Sequence, residues 1–262
     1  MQNLKHNAPQ RNTPKAFLQS FALLGCGQMR KSLQFSLAAV FGALHATLYF
    51  MSFGLWRNWG IYLESIEGIV LGPGVGFLAA FSGSLTARII RPDPLWMFGV
   101  IAEPFAVMTA GFLSRGKWKP VLAVNATMLS AYFVHPFGRL LPIWTILDVL
   151  LALFIIYPTA KFSKYFFEGN IKRLSTPLVL VLVSFVSIAT DSLVRIFLLI
   201  PCGLYNLFFA SFEELYGVFV GAAVSSYIED VIVVIVSFLV GVPLLVSILR
   251  LKLFEGRTTK EE

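Results

Sequence analysis

The stretch "YLESIEGIVLGPGVGF", residues Tyr62 to Phe77, decides the fold. It lies in an apolar run, yet it carries Glu64 and Glu67 and then Gly72-Pro73-Gly74. A charged side chain at the centre of a bilayer costs about 2.5–3.5 kcal/mol even on the lenient insertion scale. Gly-Pro-Gly does not continue a helix, because proline lacks the N–H and glycine gives up rigidity. The surrounding apolar region, 61–90, is long for one span of about 20 residues and short for two full ones. It is therefore predicted to be a hairpin or re-entrant pair that turns at Gly72-Pro73-Gly74. A single kinked, tilted helix is the alternative.

The rest of the chain sets the context. Of its 262 residues, 57% are hydrophobic and only 13% charged, with a mean hydropathy of +0.76. A soluble domain normally carries charge on about a quarter of its residues. The composition predicts an all-α polytopic membrane protein, a helical bundle of about 6–8 membrane segments with the broken segment near Gly72. The clear spans are 33–53, 95–113, 120–138, 142–160, 176–201 and 226–250. They form one transmembrane domain, 32–250. A basic N-terminal tail, 1–31, precedes it and a charged tail, 251–262, follows it. The run Phe17 to Leu24 suits a short amphipathic surface helix. Cys26 and Cys202 form no C-x-x-C pattern, so neither a disulfide framework nor a metal site is expected.

Charge sets the topology. With a hairpin at 61–90, both termini and the loops Ser114–Lys119 and Lys161–Arg173 fall on one face. That face collects 16 of the 21 basic residues, every lysine among them. The positive-inside rule makes it cytoplasmic, and the net charge of +7 then needs no nucleic acid partner. The five remaining basic residues are Arg57, Arg88, Arg91, Arg139 and Arg195. They fall in the outer half with ten of the fourteen acids. Glu103, Asp148 and Asp191 lie within apolar spans, where ionisable groups face the bundle interior and pair, or serve a site. Glu64 and Glu67 share a helix face, and Asp191 and Arg195 are spaced to bridge. Structural ion pairing explains any one of these residues. Together they describe a polar cavity open to the outside, ringed by Trp56, Trp59, Trp96 and Trp144. The candidate ligand-binding residues are Glu64, Glu67, Glu103, Arg139, Asp191, Arg195, Glu229 and Trp96.

In the first span, "SLAAVFGALHATLYF" (Ser36–Phe50), Ala38, Gly42 and Ala46 recur every four residues, with Ala39 and Ala43 beside them. Such a stripe lets another helix approach closely, in this chain or in a partner subunit. The motifs together resemble the substrate-binding S component of energy-coupling factor (ECF) vitamin transporters, above all the riboflavin-type members. The resemblance rests on Ala39-x-x-x-Ala43, on the acidic start and Gly-Pro turn of "YLESIEGIVLGPGVGFLAAFSGSL", and on the basic loop in "AGFLSRGKWKP". "RIFLLIPCGLY" and "YIEDVIVVIVSFLVGVPLLVSIL" resemble the final helix pair. It is firmest over 33–119 and fainter over 176–250. The family has about six helices, so 120–160 reads as an extra hairpin. The resemblance implies capture of a vitamin-like small molecule from outside, with no catalytic role and no cofactor. It also implies docking through the first helix onto a membrane coupling subunit with ATPases. The chain itself contains no G-x-x-x-x-G-K-[ST] phosphate loop.

Two rival classes are open. A proton- or ion-coupled secondary transporter would use the buried Glu103, Asp148 and Asp191. An intramembrane enzyme would need more than the adjacent Glu213 and Glu214, which are followed by no arginine. His45 and His135 lie on different spans without metal-ligand spacing, and His135-Pro136 reads as a helix end.

Overall fold

The computed structural model describes residues 31–51, 58–167, 175–244 and 247. The tails, the Phe17–Leu24 helix, Cys26, Trp56, Arg57, Lys172 and Arg173 lie outside the described residues. Those described form an all-helical bundle: α1 (Lys31–Tyr49), α2 (Ile61–Leu71), α3 (Pro73–Ile90), α4 (Trp96–Leu113), α5 (Trp118–Val134), α6 (Pro136–Leu140), α7 (Leu147–Phe167), α8 (Ser175–Leu199), α9 (Tyr205–Phe208) and α10 (Phe212–Val236). A short 3-10 turn, Ile143–Ile146, leads into α7, and a π turn, Ser237–Gly241, prolongs α10. The chain is a multi-pass membrane protein. Large apolar side chains such as Phe154, Ile89, Val134 and Leu207 lie exposed around the bundle, the arrangement lipid requires and water penalises.

Region 61–90 is the predicted hairpin. Gly72 has φ 87° and ψ 174°, a region open essentially to glycine alone. Pro73 then opens α3, where its missing N–H costs nothing and its fixed φ suits the first turn. α2 is only 11 residues long, about 16 Å at 1.5 Å per residue, against a hydrocarbon core of about 30 Å. It is a half-helix, buried throughout apart from the partly exposed Tyr62. Gly68 lets it lie against α4: a Cβ there would stand 2.2 Å from the Val107 carbonyl oxygen.

The Gly72 turn shares one end of the bundle with the basic loops. Gln34, at the start of α1, donates to the Leu71 carbonyl at 3.1 Å. Arg115 lies against Gly72 and donates to the Gly111 carbonyl at 2.9 Å. Burial lowers the pKa of this guanidinium. Lys164 packs on Gly116, which brings the end of α7 to the same place.

Five described helical stretches are long and apolar enough to cross a membrane: Pro73–Ile90, Trp96–Leu113, Ile143–Tyr165, Pro177–Leu199 and Phe212–Leu244. The count falls below the expected 6–8. α1 is diluted by Gln34, His45 and its small residues, α5 has 17 residues, and α2 is a half-helix. The last span begins at Phe212 instead of 226. Ser211 accepts from the Glu214 N–H at 3.2 Å, and Glu214 accepts from the Ala210 N–H at 3.0 Å. That reciprocal cap starts a helix, so Glu214 caps instead of pairing with Glu213. His135 also caps: its Nδ1 accepts from the Phe137 N–H at 3.2 Å, where α5 gives way to α6. α8 runs through the centre, against α2, α4, α5, α7 and α10.

Candidate functional site

The end opposite the Gly72 turn holds a cavity of about 590 Å³. The end of α3 and the following loop supply Arg88, Arg91 and Asp93, and α8 supplies Ser192 and Arg195. Asp148 comes from α7 and Glu229 and Ser226 from α10, while Tyr49, Asn58 and Thr145 add to the polar lining. Phe98, Phe208, Phe209 and Phe219 line the apolar part.

Below this cavity lies a layer of buried ionisable groups. Each is one turn, about 5–6 Å, nearer the basic end than a lining residue: Asp191 below Arg195, Ser84 below Arg88, and His45 below Tyr49. Glu103 of α4 is the hub, and it is fully buried. Arg88 grips it with Nη2 at 2.5 Å from Oε1 and Nη1 at 3.1 Å from Oε2. The Ser84 hydroxyl donates to Oε2 at 2.5 Å and in turn accepts from Arg88 Nη1. The Asn58 amide donates to Oε1 at 3.1 Å, and Arg195 Nη2 approaches it at 3.6 Å. Arg195 is chiefly held by Asp191, with Nε at 2.7 Å and Nη2 at 3.1 Å from the two carboxylate oxygens.

His45 links this hub to α2. Its Nε2 is 3.0 Å from Glu103 Oε2 and its Nδ1 is 3.3 Å from Glu67 Oε2. A neutral imidazole has one N–H, and an ionised carboxylate only accepts. Two hydrogen bonds from one ring to two carboxylates therefore require two protons in the trio Glu67–His45–Glu103. Glu64, one turn before Glu67, is 1% exposed, and neither of its oxygens has a hydrogen-bond partner.

The eight residues singled out from sequence thus divide. Arg195 and Glu229 line the cavity. Glu64, Glu67, Glu103 and Asp191 are brought together, but in the layer beneath it. Trp96, 44% exposed, and Arg139 stand outside the lining. Arg139 is exposed and donates Nε to the Phe133 carbonyl at 2.8 Å, so it caps the end of α5. Sequence reasoning missed His45, Ser84, Asn58 and the central place of Arg88. One signal was present: Ser84 and Arg88 are four apart and so share a face of α3. No group of three or more His, Cys, Asp or Glu placed to hold a metal ion occurs among the described residues.

The stripe on α1 is also divided. Gly42 is buried, with the Ala79 carbonyl 3.2 Å from the position of a Cβ, and Ala38 and Ala46 are partly buried. Ala39 and Ala43 are exposed.

The fold and the site define an all-helical, multi-pass membrane protein with an ionised interior beneath a cavity at one end. Over 133 residues it is 29% identical to the uncharacterized protein MJ0923 of Methanocaldococcus jannaschii. The aligned stretch covers 50% of this chain and 44% of that protein, so this chain spans less than half the length of its relative. No protein-family profile matches the chain. No solved structure matches it.

Proposed function

We propose that this protein is the substrate-binding membrane subunit of an ECF-type uptake transporter, capturing a vitamin-like small molecule. The observation that carries the reading is the cavity at the end opposite the basic loops. Its volume falls within the roughly 300–1,000 Å³ of small-molecule sites. Its aromatic wall suits a ring, while Arg88, Arg195, Asn58, Asp148 and Glu229 in the same lining suit polar substituents of either charge. The positive-inside rule puts the basic end and both termini in the cytoplasm and opens the cavity to the outside of the cell membrane. Ala39 and Ala43 leave one face of α1 smooth for a coupling subunit that carries ATPases. The role is binding, not catalysis, and it calls for no cofactor.

A proton- or ion-coupled carrier is the second reading, and the buried layer around Glu103 favours it. One preparation separates the two. Mass spectrometry on the detergent-purified protein reads retained small molecules and co-purifying subunits together. A retained vitamin or an ATPase-bearing partner supports the ECF reading. Uptake by the chain alone in liposomes under a proton or sodium gradient sinks it in favour of the carrier.

A further inference from the structure

Ligand capture leaves the buried Glu64 without a role. Glu64 is enclosed, lies in the first turn of α2, and has no hydrogen-bond partner for either oxygen. The charges that act on it come from other helices: His45 on α1, Glu103 on α4, and Asp191 and Arg195 on α8. Glu67 lies one turn further along α2, and Arg88 of α3 reaches the set through Glu103. Glu229 and Asp230 are the buried acids of α10.

We propose that Glu64 is a proton-binding site, neutral in the resting protein, and that its proton is lost only when Arg195 leaves Asp191 to pair with it. The proposal deepens the carrier reading and rests on that reading only for its use in transport. Three observations support it. An ionised carboxylate that is both buried and unpaired is far costlier than a neutral one. The positive end of the α2 dipole helps Glu64 ionise, but that help is small beside the cost. The charges also balance on one more proton. Counted over Glu64, Glu67, Glu103 and Asp191, four carboxylates face the guanidiniums of Arg88 and Arg195 and the one extra proton of the Glu67–His45–Glu103 trio, which leaves a single negative charge; Glu229 and Asp230 of α10 stand outside this count. A proton on Glu64 cancels it. With no cluster of three ligands for a metal ion among the described residues, a proton fits where a cation does not.

The geometry gives the proton a consequence. Arg195 lines the cavity and also holds Asp191, so its position is shared between the ligand space and the layer below. Loss of the Glu64 proton draws Arg195 inward, and its return releases Arg195 to the cavity. Glu103 and His45 form a hydrogen-bonded path from Asn58, at the cavity, to Glu67, one turn from Glu64.

Infrared spectroscopy on the purified full-length protein tests this without any ligand. A protonated carboxylic acid has a carbonyl stretch separate from ionised carboxylate bands, and it moves in D2O. We expect that band in the wild type at neutral pH, its loss in Glu64→Gln and its survival in Glu67→Gln. Asp191→Asn frees Arg195 and is expected to weaken it. No band in the wild type overturns the proposal, as does a band that survives in Glu64→Gln. A band that responds to sodium at fixed pH replaces the proton with a cation, and an unchanged band in Asp191→Asn overturns the link to Arg195. Should Glu64→Gln fail to fold, labelling the wild type with 13C-glutamate decides: a band that does not shift excludes every glutamate. Ligand retention is scored separately by mass spectrometry, so either idea can fail alone.

Discussion

Replacing Glu103 by glutamine should destabilise the protein more than any other single isosteric change in the buried layer. The side chain keeps its size, so no cavity opens, and the loss is electrostatic. Arg195 retains both of its bonds to Asp191 and survives the change. Arg88 does not: beyond Glu103 it has the Ser84 carbonyl, at 3.2 Å, the Ser84 hydroxyl and the Tyr49 ring, 4.8 Å from its Cζ, none of which is an anion. With a side chain 4% exposed, it is left as a buried charge without a counterion. Removing one partner of a buried pair costs about 3–5 kcal/mol. At about 2–4 °C per kcal/mol for a chain of this size, the midpoint should fall by roughly 6–20 °C. The assay is thermal unfolding of the detergent-purified protein, followed by tryptophan fluorescence. The decisive comparison is Glu103→Gln with Arg88→Met, which deletes both charges and should recover most of the loss, since hydrophobic replacement of a whole buried pair is often neutral. Glu103→Gln with Arg195→Met should recover none, because that change removes the arginine that holds Asp191 and leaves Arg88 as it was. A single mutant that melts with the wild type, or equal rescue by the two arginine changes, would refute the charge assignment.

Three further outcomes are expected. Cys202 lies just past α8, at the cavity end, and is exposed. In a Cys26→Ser background a membrane-impermeant thiol reagent should label it from outside intact cells. Burial pushes its thiol up, so the reactive thiolate is scarce at neutral pH and labelling should accelerate as pH rises. Labelling only after the cells are opened would reverse the topology. Gly72→Ala should cost about 1–3 kcal/mol for its backbone conformation, plus the clash of a Cβ 2.6 Å from Arg115 Nη2. Arg115→Ala should relieve the clash and leave the backbone cost in the melting curve. On α1, Ala43→Trp should leave the melting temperature within a degree or so while removing any co-purifying coupling subunit, as a surface change without packing partners does. Gly42→Trp should instead unfold the bundle, because it drives into Ala79. Equal effects of the two would mean the exposed face carries no partner.

The hairpin was legible because two independent signals agreed. Gly72-Pro73-Gly74 has few uses inside a helix, and the distribution of lysines demanded an even number of crossings. The pairing of Asp191 with Arg195 was legible from its i, i+4 spacing. Arg139 and Trp96 fall outside the cavity lining because sequence places a residue at one end of the bundle but not on one side of its helix. Arg139 turns back onto the end of α5, and Trp96 sits one position from Leu95 and two from Phe98, both of which line the cavity. His45 was passed over because a single histidine without metal-ligand spacing has no partner visible along the chain. Its partners, Glu67 and Glu103, are 22 and 58 residues away, and only the packing of α1 on α3 and α2 brings them together. The start of α10 was written in the sequence as the capping box Ser211-x-x-Glu214. The expected span began only at 226, and Glu213 and Glu214 were weighed only as an enzyme's acidic pair.

The half-helix explains why so many carboxylates are tolerated inside the membrane. A helix that crossed completely would carry Glu64 and Glu67 past the interior on a continuous backbone, with no helix start near them. Because α2 starts at mid-depth, the positive end of its dipole lies in the interior, although the N–H groups there are already bonded to Asn58, Trp59 and Gly60. Gly60 sits close enough to the ring of His45 that a Cβ there would be 3.2 Å from Nε2, which puts the start of α2 level with the hub at Glu103. Irregular backbone at that depth is tolerated only where protein or a cavity covers it, and α4, α8 and α1 supply the cover. The Gly72 turn fixes how deep the start of α2 reaches: 11 residues from one end, about half the thickness of the hydrocarbon. Lengthening α2 by a full turn should therefore push its acidic start past His45 toward the cavity and break the relay. A conservative change to Gly72 leaves that reach intact and costs only the turn.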